Sequence, residues 1–101
     1  MRSVSVANPI DGGVVSMTAR SEGTRTGFRH LAETSDGVTA KMCYLNRTWE
    51  VYAFQSVLHK LAWNWLVRRT GWNPATKRDG ARFREAYGKM TGAIDAACRP
   101  S

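Results

Sequence analysis

The spacing of apolar residues changes near Phe54, and this change constrains the fold more than any other feature of the chain. Before it, apolar and polar residues alternate, as at Val15, Met17 and Ala19, which is the period of a half-buried strand. After it, apolar residues recur every three or four positions, which is the period of a helix. The sequence therefore predicts an α+β fold with its strands first and its helices last.

The first half of the chain is predicted to form an antiparallel β-meander of three to four strands. One strand runs through Val15 and ends at Ser21-Glu22-Gly23, another spans 27–34, and Ser35-Asp36-Gly37 supplies turn residues before a strand that starts at Val38. Residues 1–13 contain Asn-Pro and Asp-Gly-Gly and are predicted to be a flexible N-terminal arm or a short edge strand. A single α+β domain is then expected over 14–101.

The stretch 40–53 is predicted to be a β-hairpin whose two-residue turn is Asn46-Arg47. In this register Tyr44 lies opposite Trp49, and the successive pairs end with Ala40 opposite Ala53. Every second pair lies on the same face of a hairpin. That face holds only apolar or aromatic residues, so it is interpreted as a core face: Tyr44, Trp49, Met42, Val51, Ala40 and Ala53.

Two C-terminal helices are predicted to pack on one face of the sheet. The first runs from Phe54 to about Arg69, with an apolar face of Phe54, Leu58, Leu61, Ala62 and Trp65 and a flank of His59, Trp63 and Leu66. The second starts near Asp79, ends before Arg99, and has the stripe Phe83, Tyr87, Met90, Ile94 and Ala97. The small residues Gly88, Gly92 and Ala96 indicate either close helix packing or a self-association face.

Positive charge is concentrated in the C-terminal part of the chain. The whole chain of 101 residues has a net charge of +7. Residues 1–59 carry six basic and five acidic side chains, whereas residues 60–101 carry nine and three. Such a cluster favours an anionic partner, which could be nucleic acid, an acidic protein surface or anionic lipid. The alternative is a solvated face that only keeps the protein dispersed.

The connection between the helices contains Trp72, with arginines before it and basic residues after it. Aromatic rings stack on bases and guanidinium groups bind phosphates, so this mixture is typical of single-stranded nucleic-acid sites. The alternative is that Trp72 closes the end of the core. The predicted partner-binding residues are Arg68, Arg69, Trp72, Lys77, Arg78, Arg82, Arg84 and Trp63.

Catalysis has little support in the sequence. His30 and His59 lie in no zinc-protease, nucleophile-elbow or phosphate-loop motif, and a site built from Cys43, His59 and Glu50 has no supporting spacing. Cys43 and Cys98 do not have zinc-ligand spacing; two buried thiols are expected, with a disulfide as the alternative. We therefore expect a non-enzymatic protein without a metal or cofactor.

No apolar run approaches the length of a membrane span, and the start of the chain has no continuous apolar signal core. A cytoplasmic monomer or homodimer is therefore expected, without a membrane partner. In one hypothesis the basic residues bind nucleic acid or a nucleoprotein through phosphate contacts. In the other, the same surface docks on an acidic protein surface as an inhibitor or adaptor.

The string Tyr44-x-Asn46-Arg47-Thr48-Trp49-Glu50-x-Tyr52-x-Phe54-Gln55-Ser56-Val57-Leu58 resembles a stretch of small uncharacterised proteins from phages and mobile elements. The stretch covers about a seventh of the chain, and no site residues are carried over from it. The resemblance implies a small accessory protein that acts on host machinery or on replicating nucleic acid. Inhibitors of host defence, such as anti-CRISPR proteins, are one class with this role.

Overall fold

The computed structural model describes residues 2–44 and 50–99, which form four strands and two helices. The strands make one antiparallel sheet in which each strand pairs with the next along the chain. Both helices lie on the same side of this sheet, α1 over β3 and β4 and α2 over β1. The α+β prediction is therefore confirmed. The elements are β1 (Arg2–Ala7), β2 (Val14–Gly23), β3 (Phe28–Thr34), β4 (Thr39–Tyr44), α1 (Glu50–Thr70) and α2 (Lys77–Cys98).

Alternation along the strands decides which side chains meet the helices. In β2, Val15, Met17 and Ala19 are buried, whereas Ser16 and Arg20 are exposed. We call the helix-covered side of the sheet the inner face and the opposite side the outer face. Apolar side chains collect on the inner face because burying apolar area is the main force that holds the two layers together. The strand residues buried there include Val6, Val15, Met17, Ala19, Ala32 and Ala40.

Within the predicted arm over 1–13, residues 2–13 form an edge strand followed by a turn. In β1, Val4 lies opposite Met17 and Val6 lies opposite Val15, so the inner face extends across the first strand. The turn over 8–13 is closed by the side chain of Asn8, which is buried and accepts a hydrogen bond from the Ile10 amide at 2.8 Å. The side-chain amide supplies the partner that a reversing backbone would otherwise lack.

The helices bury the faces that their spacing predicts, with one shift. Leu58, Leu61 and Trp65 of α1 and Phe83, Met90 and Ile94 of α2 are buried, whereas Ala97 is exposed and Cys98 is buried in its place. Ile94 and Cys98 are four residues apart, so they continue the same helical face. Within the described residues, neither helix is long and apolar enough to cross a membrane.

The predicted hairpin over 40–53 is wrong. Helix α1 already begins at Glu50, so Ala53 is helical and cannot lie opposite Ala40; β4 pairs with β3 instead, placing Ala40 opposite Ala32. Ala53 is fully buried together with Val57 and Leu61. Successive members of this set are four residues apart, so the three lie on one face of α1. A continuous apolar face of the helix therefore buries Ala53 better than the predicted strand would. The predicted turn at Asn46-Arg47 and the core position of Trp49 lie outside the described residues.

Two smaller predictions also need correction. Gly88, Gly92 and Ala96 are exposed on α2, and a Cβ atom at either glycine would meet nothing within 4 Å, so this line of small residues does not pack a helix. Cys43 lies on the outer face of β4 and is exposed, whereas Cys98 is buried, and both are free thiols. Only one of the two expected buried thiols is therefore buried, because the strand alternation turns Cys43 outward.

Candidate nucleic-acid interface

Six cations lie where α1 ends and α2 begins, and we call this region the basic end. Helix α1 delivers two of them in its last turn, and α2 delivers four in its first two turns. The turn before β2 and the turn before β4 lie at the same end, since Arg69 reaches Asp11 and Trp65 reaches Asp36. The basic end comprises Arg68, Arg69, Lys77, Arg78, Arg82 and Arg84.

Short local hydrogen bonds fix the connection over 71–76. Gly71 has a φ of 70°, and its amide donates to the carbonyl of Val67 at 3.0 Å, which ends α1 in the left-handed conformation that glycine tolerates. The Trp72 amide donates to the hydroxyl of Thr70 at 3.0 Å. Thr76 then caps α2 by accepting from the Asp79 amide at 3.2 Å. The two sets of cations are therefore presented by a defined connection.

Asp79 is the buried centre of this connection. Its carboxylate accepts from the Asn73 amide at 3.0 Å and from Arg82 Nη2 at 2.5 Å, and Arg78 Nε lies 3.5 Å away. The Asn73 amide, followed by the Arg82 guanidinium, holds the pKa of Asp79 below its usual range. At Gly80, an added Cβ would lie 3.1 Å from the carbonyl oxygen of Pro74, so the connection packs closely on the first turn of α2.

Of the two roles predicted for Trp72, the structure shows the closing of the core. Trp72 is half-buried and packs against the core, as expected of a side chain that closes the end of the core. The Arg82 guanidinium lies over its ring, 4.3 Å from the ring centroid, in cation–π geometry. Because Arg82 covers one face of the ring, a nucleic-acid base cannot stack on that face in this conformation.

The six cations divide into two groups by their partners. Arg69 lies 3.3 Å from Asp11, and Arg78 and Arg82 both contact Asp79; we call these three the paired arginines. In the part of the chain that the structure describes, no ion pair involves the other three, which we call the outward cations. The outward cations are Arg68, Lys77 and Arg84, and all three are exposed.

Two of the cations lie at the N-terminus of α2, where the dipole of the helix interacts unfavourably with positive charge. Lys77 and Arg78 occupy the first turn of α2, and the N-terminus of a helix carries a partial positive charge. The Arg78 side chain is 87% exposed, so burial does not explain its position. A bound anion would remove this unfavourable interaction, since helix N-termini attract anions.

Trp63 lies in the seam between the helices. Its ring makes edge contacts with Phe83, at 4.7 Å between centroids, and with Tyr87, at 5.2 Å. It is nevertheless 38% exposed, as is Val67 one turn later. Trp63 precedes Arg69 by six residues, which is about 9 Å along the helix axis. Trp63 is thus separated along α1 from Arg69, whereas its contact Phe83 lies between Arg82 and Arg84 in the sequence.

The residues suggested for a scattered catalytic site are not brought together. Cys43 points to the outer face of the sheet, whereas His59 lies on the other side, where its Nε2 is 2.6 Å from Asp95 Oδ1 and links the two helices. The side chain of Glu50 lies outside the described part of the structure. Within the described residues, no group of histidine, cysteine or carboxylate side chains is arranged to hold a metal.

Sequence reasoning singled out Arg78 and Arg82 but missed the buried position of Asp79 between them and the Asn73 amide. The signal was present, because Thr76-x-x-Asp79 has the spacing of a helix N-terminal box. The pairing of Arg82 with Trp72 spans ten residues across an irregular connection, and no local pattern predicts it.

No family model, curated protein or solved structure matches this chain. Its function is therefore argued from the arrangement of its own residues.

Proposed function

We propose that this protein is a non-enzymatic nucleic-acid-binding protein that contacts the phosphate backbone through its basic end. The observation that carries the proposal is the set of outward cations, Arg68, Lys77 and Arg84, which are exposed and form no ion pair within residues 2–44 and 50–99. Arginine and lysine bind phosphate oxygens through charge-assisted hydrogen bonds, and neutralisation of phosphates supplies much of the affinity of proteins for nucleic acid.

The paired arginines support the proposal in a second way. Asp79 anchors Arg82 and contacts Arg78, while Asp11 contacts Arg69, so these guanidinium groups are positioned before a ligand arrives. Positioned groups lose less side-chain entropy on binding than free ones do. The phosphate backbone would thus meet the three paired arginines and the three outward cations at one end of the molecule.

The cover of Arg82 over Trp72 bears on specificity. Stacking of a base on that face of Trp72 would first have to displace Arg82 from the ring. We therefore infer that phosphate contacts supply most of the affinity and that base sequence has little influence on it.

The exposed part of Trp63 favours a second candidate function, docking on an acidic protein surface. Trp63 and Val67 expose an apolar strip on the solvent-exposed side of α1. Tryptophan and arginine are enriched among the residues that dominate protein interfaces. An inhibitor of a host nucleoprotein complex would use such a strip together with the basic end. The resemblance of 44–58 to small phage proteins agrees with that role.

Binding of labelled single- and double-stranded oligonucleotides across a salt series tests the first proposal. Replacing Arg68, Lys77 and Arg84 by alanine should reduce the slope of log K against log salt by about 2 to 3 on double-stranded DNA, because each lost phosphate contact removes about 0.9. A matched variant with alanine at Arg25, Lys89 and Arg99 loses the same charge from exposed positions elsewhere. It should keep the slope of the unaltered protein.

Absence of binding at low salt, or equal slopes for the two triple variants, would refute phosphate contact through the basic end. The second candidate is separated from the first by Trp63→Ala. This change should leave the salt slope unaltered if nucleic acid is the partner. If a protein partner uses Trp63 as an anchor, the same change should weaken that complex by tenfold or more.

A further inference from the structure

The outer face of the sheet contains a groove of about 610 Å³ that the proposed nucleic-acid interface does not use. It runs over β2, β3 and β4, and Lys60 and Asn64 of α1 form its rim beside the outer edge of β4. Neither helix covers this face. The volume lies within the range of about 300 to 1,000 Å³ that is typical of small-molecule sites.

One row of side chains across the groove alternates cation, apolar residue and cation. Leu31 in β3 lies directly opposite Arg20 in β2 and Lys41 in β4. Neighbouring strands are about 4.8 Å apart, so each cation stands one strand away from the leucine. Leu31 is half-buried and lies on the outer face, where it contributes nothing to the core. The row therefore provides an apolar platform between two cations, of which Arg20 is paired with Glu22 at 3.5 Å and Lys41 forms no ion pair among the described residues.

The next row along the strands carries a carboxylate between two hydroxyl groups. Glu33 lies opposite Thr18 in β2 and Thr39 in β4, and it is two residues, or about 6.8 Å, from Leu31 along β3. No ion pair between described residues involves Glu33, although Lys41 is its diagonal neighbour. An ionised carboxylate only accepts hydrogen bonds, so this row favours a ligand that donates them.

The rim brings a second lysine to Lys41. Lys60 Nζ donates to the Lys41 carbonyl oxygen at 2.9 Å, and Asn64 Nδ2 donates to the Thr39 carbonyl oxygen at 3.1 Å. These bonds hold α1 against the free edge of β4 and place the Lys60 ammonium beside the strand that carries Lys41. Neither lysine forms an ion pair in the described part of the chain. An anion between them would relieve the repulsion of their charges.

We propose that this groove binds a nucleotide whose base carries an exocyclic amino group, as cytidine monophosphate does. The base lies on Leu31 with its amino group directed to Glu33, and the phosphate is bound by Lys41 and Lys60. Glutamate accepts a hydrogen bond from the cytosine amino group, whereas uracil would present a carbonyl oxygen to the carboxylate. The groove places the acceptor Glu33 one row away from Leu31 and the cations beside Leu31. This pattern is complementary to the amino group, the base and the phosphate of such a ligand.

Titration of the isotopically labelled protein with cytidine monophosphate, uridine monophosphate and inorganic phosphate, followed by amide chemical shifts, tests the site. We expect saturable binding of cytidine monophosphate, with shift changes on the outer faces of β2, β3 and β4. Uridine monophosphate should bind about tenfold more weakly, which is the lower range of discrimination for a base contact. Inorganic phosphate should bind more weakly than either nucleotide because it cannot use Leu31.

Two substitutions separate the parts of the site. Lys41→Glu should weaken cytidine monophosphate binding by tenfold or more, while Arg25→Glu, an equal charge reversal at an exposed residue in the β2–β3 turn, should not. Glu33→Gln should abolish the preference for cytidine over uridine monophosphate, since an amide can both donate and accept. Both altered residues are exposed, so the fold is expected to tolerate the changes.

Three results would overturn the proposal: no saturable cytidine monophosphate binding at millimolar concentration, equal affinities for the two nucleotides and inorganic phosphate, or shift changes confined to the basic end. The groove shares no residue with the basic end. Loss of oligonucleotide binding in the Arg68, Lys77 and Arg84 variant therefore leaves this test unaffected, and the two proposals can fail separately.

Discussion

The paired arginines and the outward cations lie at the same end of the molecule but meet different surroundings. Arg82 contacts a buried carboxylate and an indole ring, whereas Lys77 is exposed and belongs to no ion pair of the described chain. Within the first group, Arg78 and Arg82 contact the carboxylate at the centre of the connection between the helices, and Arg69 contacts the turn before β2. The second group is available to a ligand. Net charge alone therefore says little about function, because half of the cations at the basic end already contact carboxylates.

Among the substitutions that test this comparison, the removal of Asp79 should have the largest effect on stability. Asp79→Ala removes the buried carboxylate that accepts from both the Asn73 amide and Arg82, and hydrogen bonds to a charged group contribute more to stability than neutral ones do. We expect the melting temperature to fall by about 10 °C. Glu85→Ala is the matched control, because Glu85 is an exposed carboxylate that lies 3.6 Å from Lys89, and its melting temperature should change by less than about 2 °C. Equal effects would show that Asp79 does not organise the paired arginines.

Acid should remove the contribution of Asp79 in a defined window. Hydrogen bonds from the Asn73 amide and Arg82 lower its pKa below the ordinary value of 3.8, so the folded state is stabilised above that pH. The contribution is lost as pH falls below about 3.8 and through the lower folded-state pKa.

Denaturant midpoints of the unaltered protein and of Asp79→Asn, measured from pH 6 to pH 2, test this sign. The gap between them should be widest at pH 5 to 6 and should close as Asp79 becomes protonated. A gap that stays constant down to pH 2 would contradict a depressed pKa. Asp36, whose pKa is also lowered, first by the Thr34 hydroxyl, is present in both proteins and cancels in the difference.

Arg82→Ala should have a smaller effect than loss of Asp79. The Arg82 side chain is 48% exposed, and a partly exposed cation–π contact contributes about 0.5 to 1 kcal/mol. We expect a loss of about 1 kcal/mol, together with a change in tryptophan fluorescence, since Trp72 loses its cover. Arg84→Ala is the control, because it also removes one positive charge but at an outward cation. If it destabilises the protein as much, the division between the two groups is wrong.

The sequence was sufficient for the main elements because their apolar periods are clear. Val15, Met17 and Ala19 marked β2, and Leu58, Leu61 and Trp65 marked α1. It failed at residues 50–53, where a hairpin register that placed Val51 and Ala53 on an apolar face suggested a strand. The four-residue spacing of Ala53, Val57 and Leu61 was the competing signal, and it decided the outcome because three fully buried residues share one helical face.

The candidate site was less predictable than the fold. Clustering of the cations could be predicted, since the connection between antiparallel helices brings the end of α1 to the start of α2. Their division into two groups could not, because it depends on Asp11, which lies 58 residues from its partner Arg69, and on the burial of Asp79. The groove on the outer face likewise depends on cross-strand neighbours such as Leu31 and Lys41. Such contacts follow from register, which no short motif specifies.

Lys77→Ala should give the smallest effect, and of opposite sign. Lys77 occupies the first turn of α2, where the partial positive charge of the helix N-terminus repels its ammonium group. Alanine also has the higher helix propensity. The substitution should therefore raise the free energy of unfolding by about 0.3 kcal/mol while weakening oligonucleotide binding at low salt.

Lys89→Ala is the control for Lys77→Ala, because Lys89 lies in the interior of α2 and faces Glu85 at 3.6 Å, so its removal should not stabilise the protein. Chemical denaturation of the two variants, with oligonucleotide affinities measured beside it, distinguishes the cases. If Lys77→Ala raises stability and weakens binding, Lys77 is retained at a cost to the fold, which is the behaviour of a ligand-binding cation. If stability rises and binding is unchanged, Lys77 is not part of the interface, and the outward cations reduce to Arg68 and Arg84.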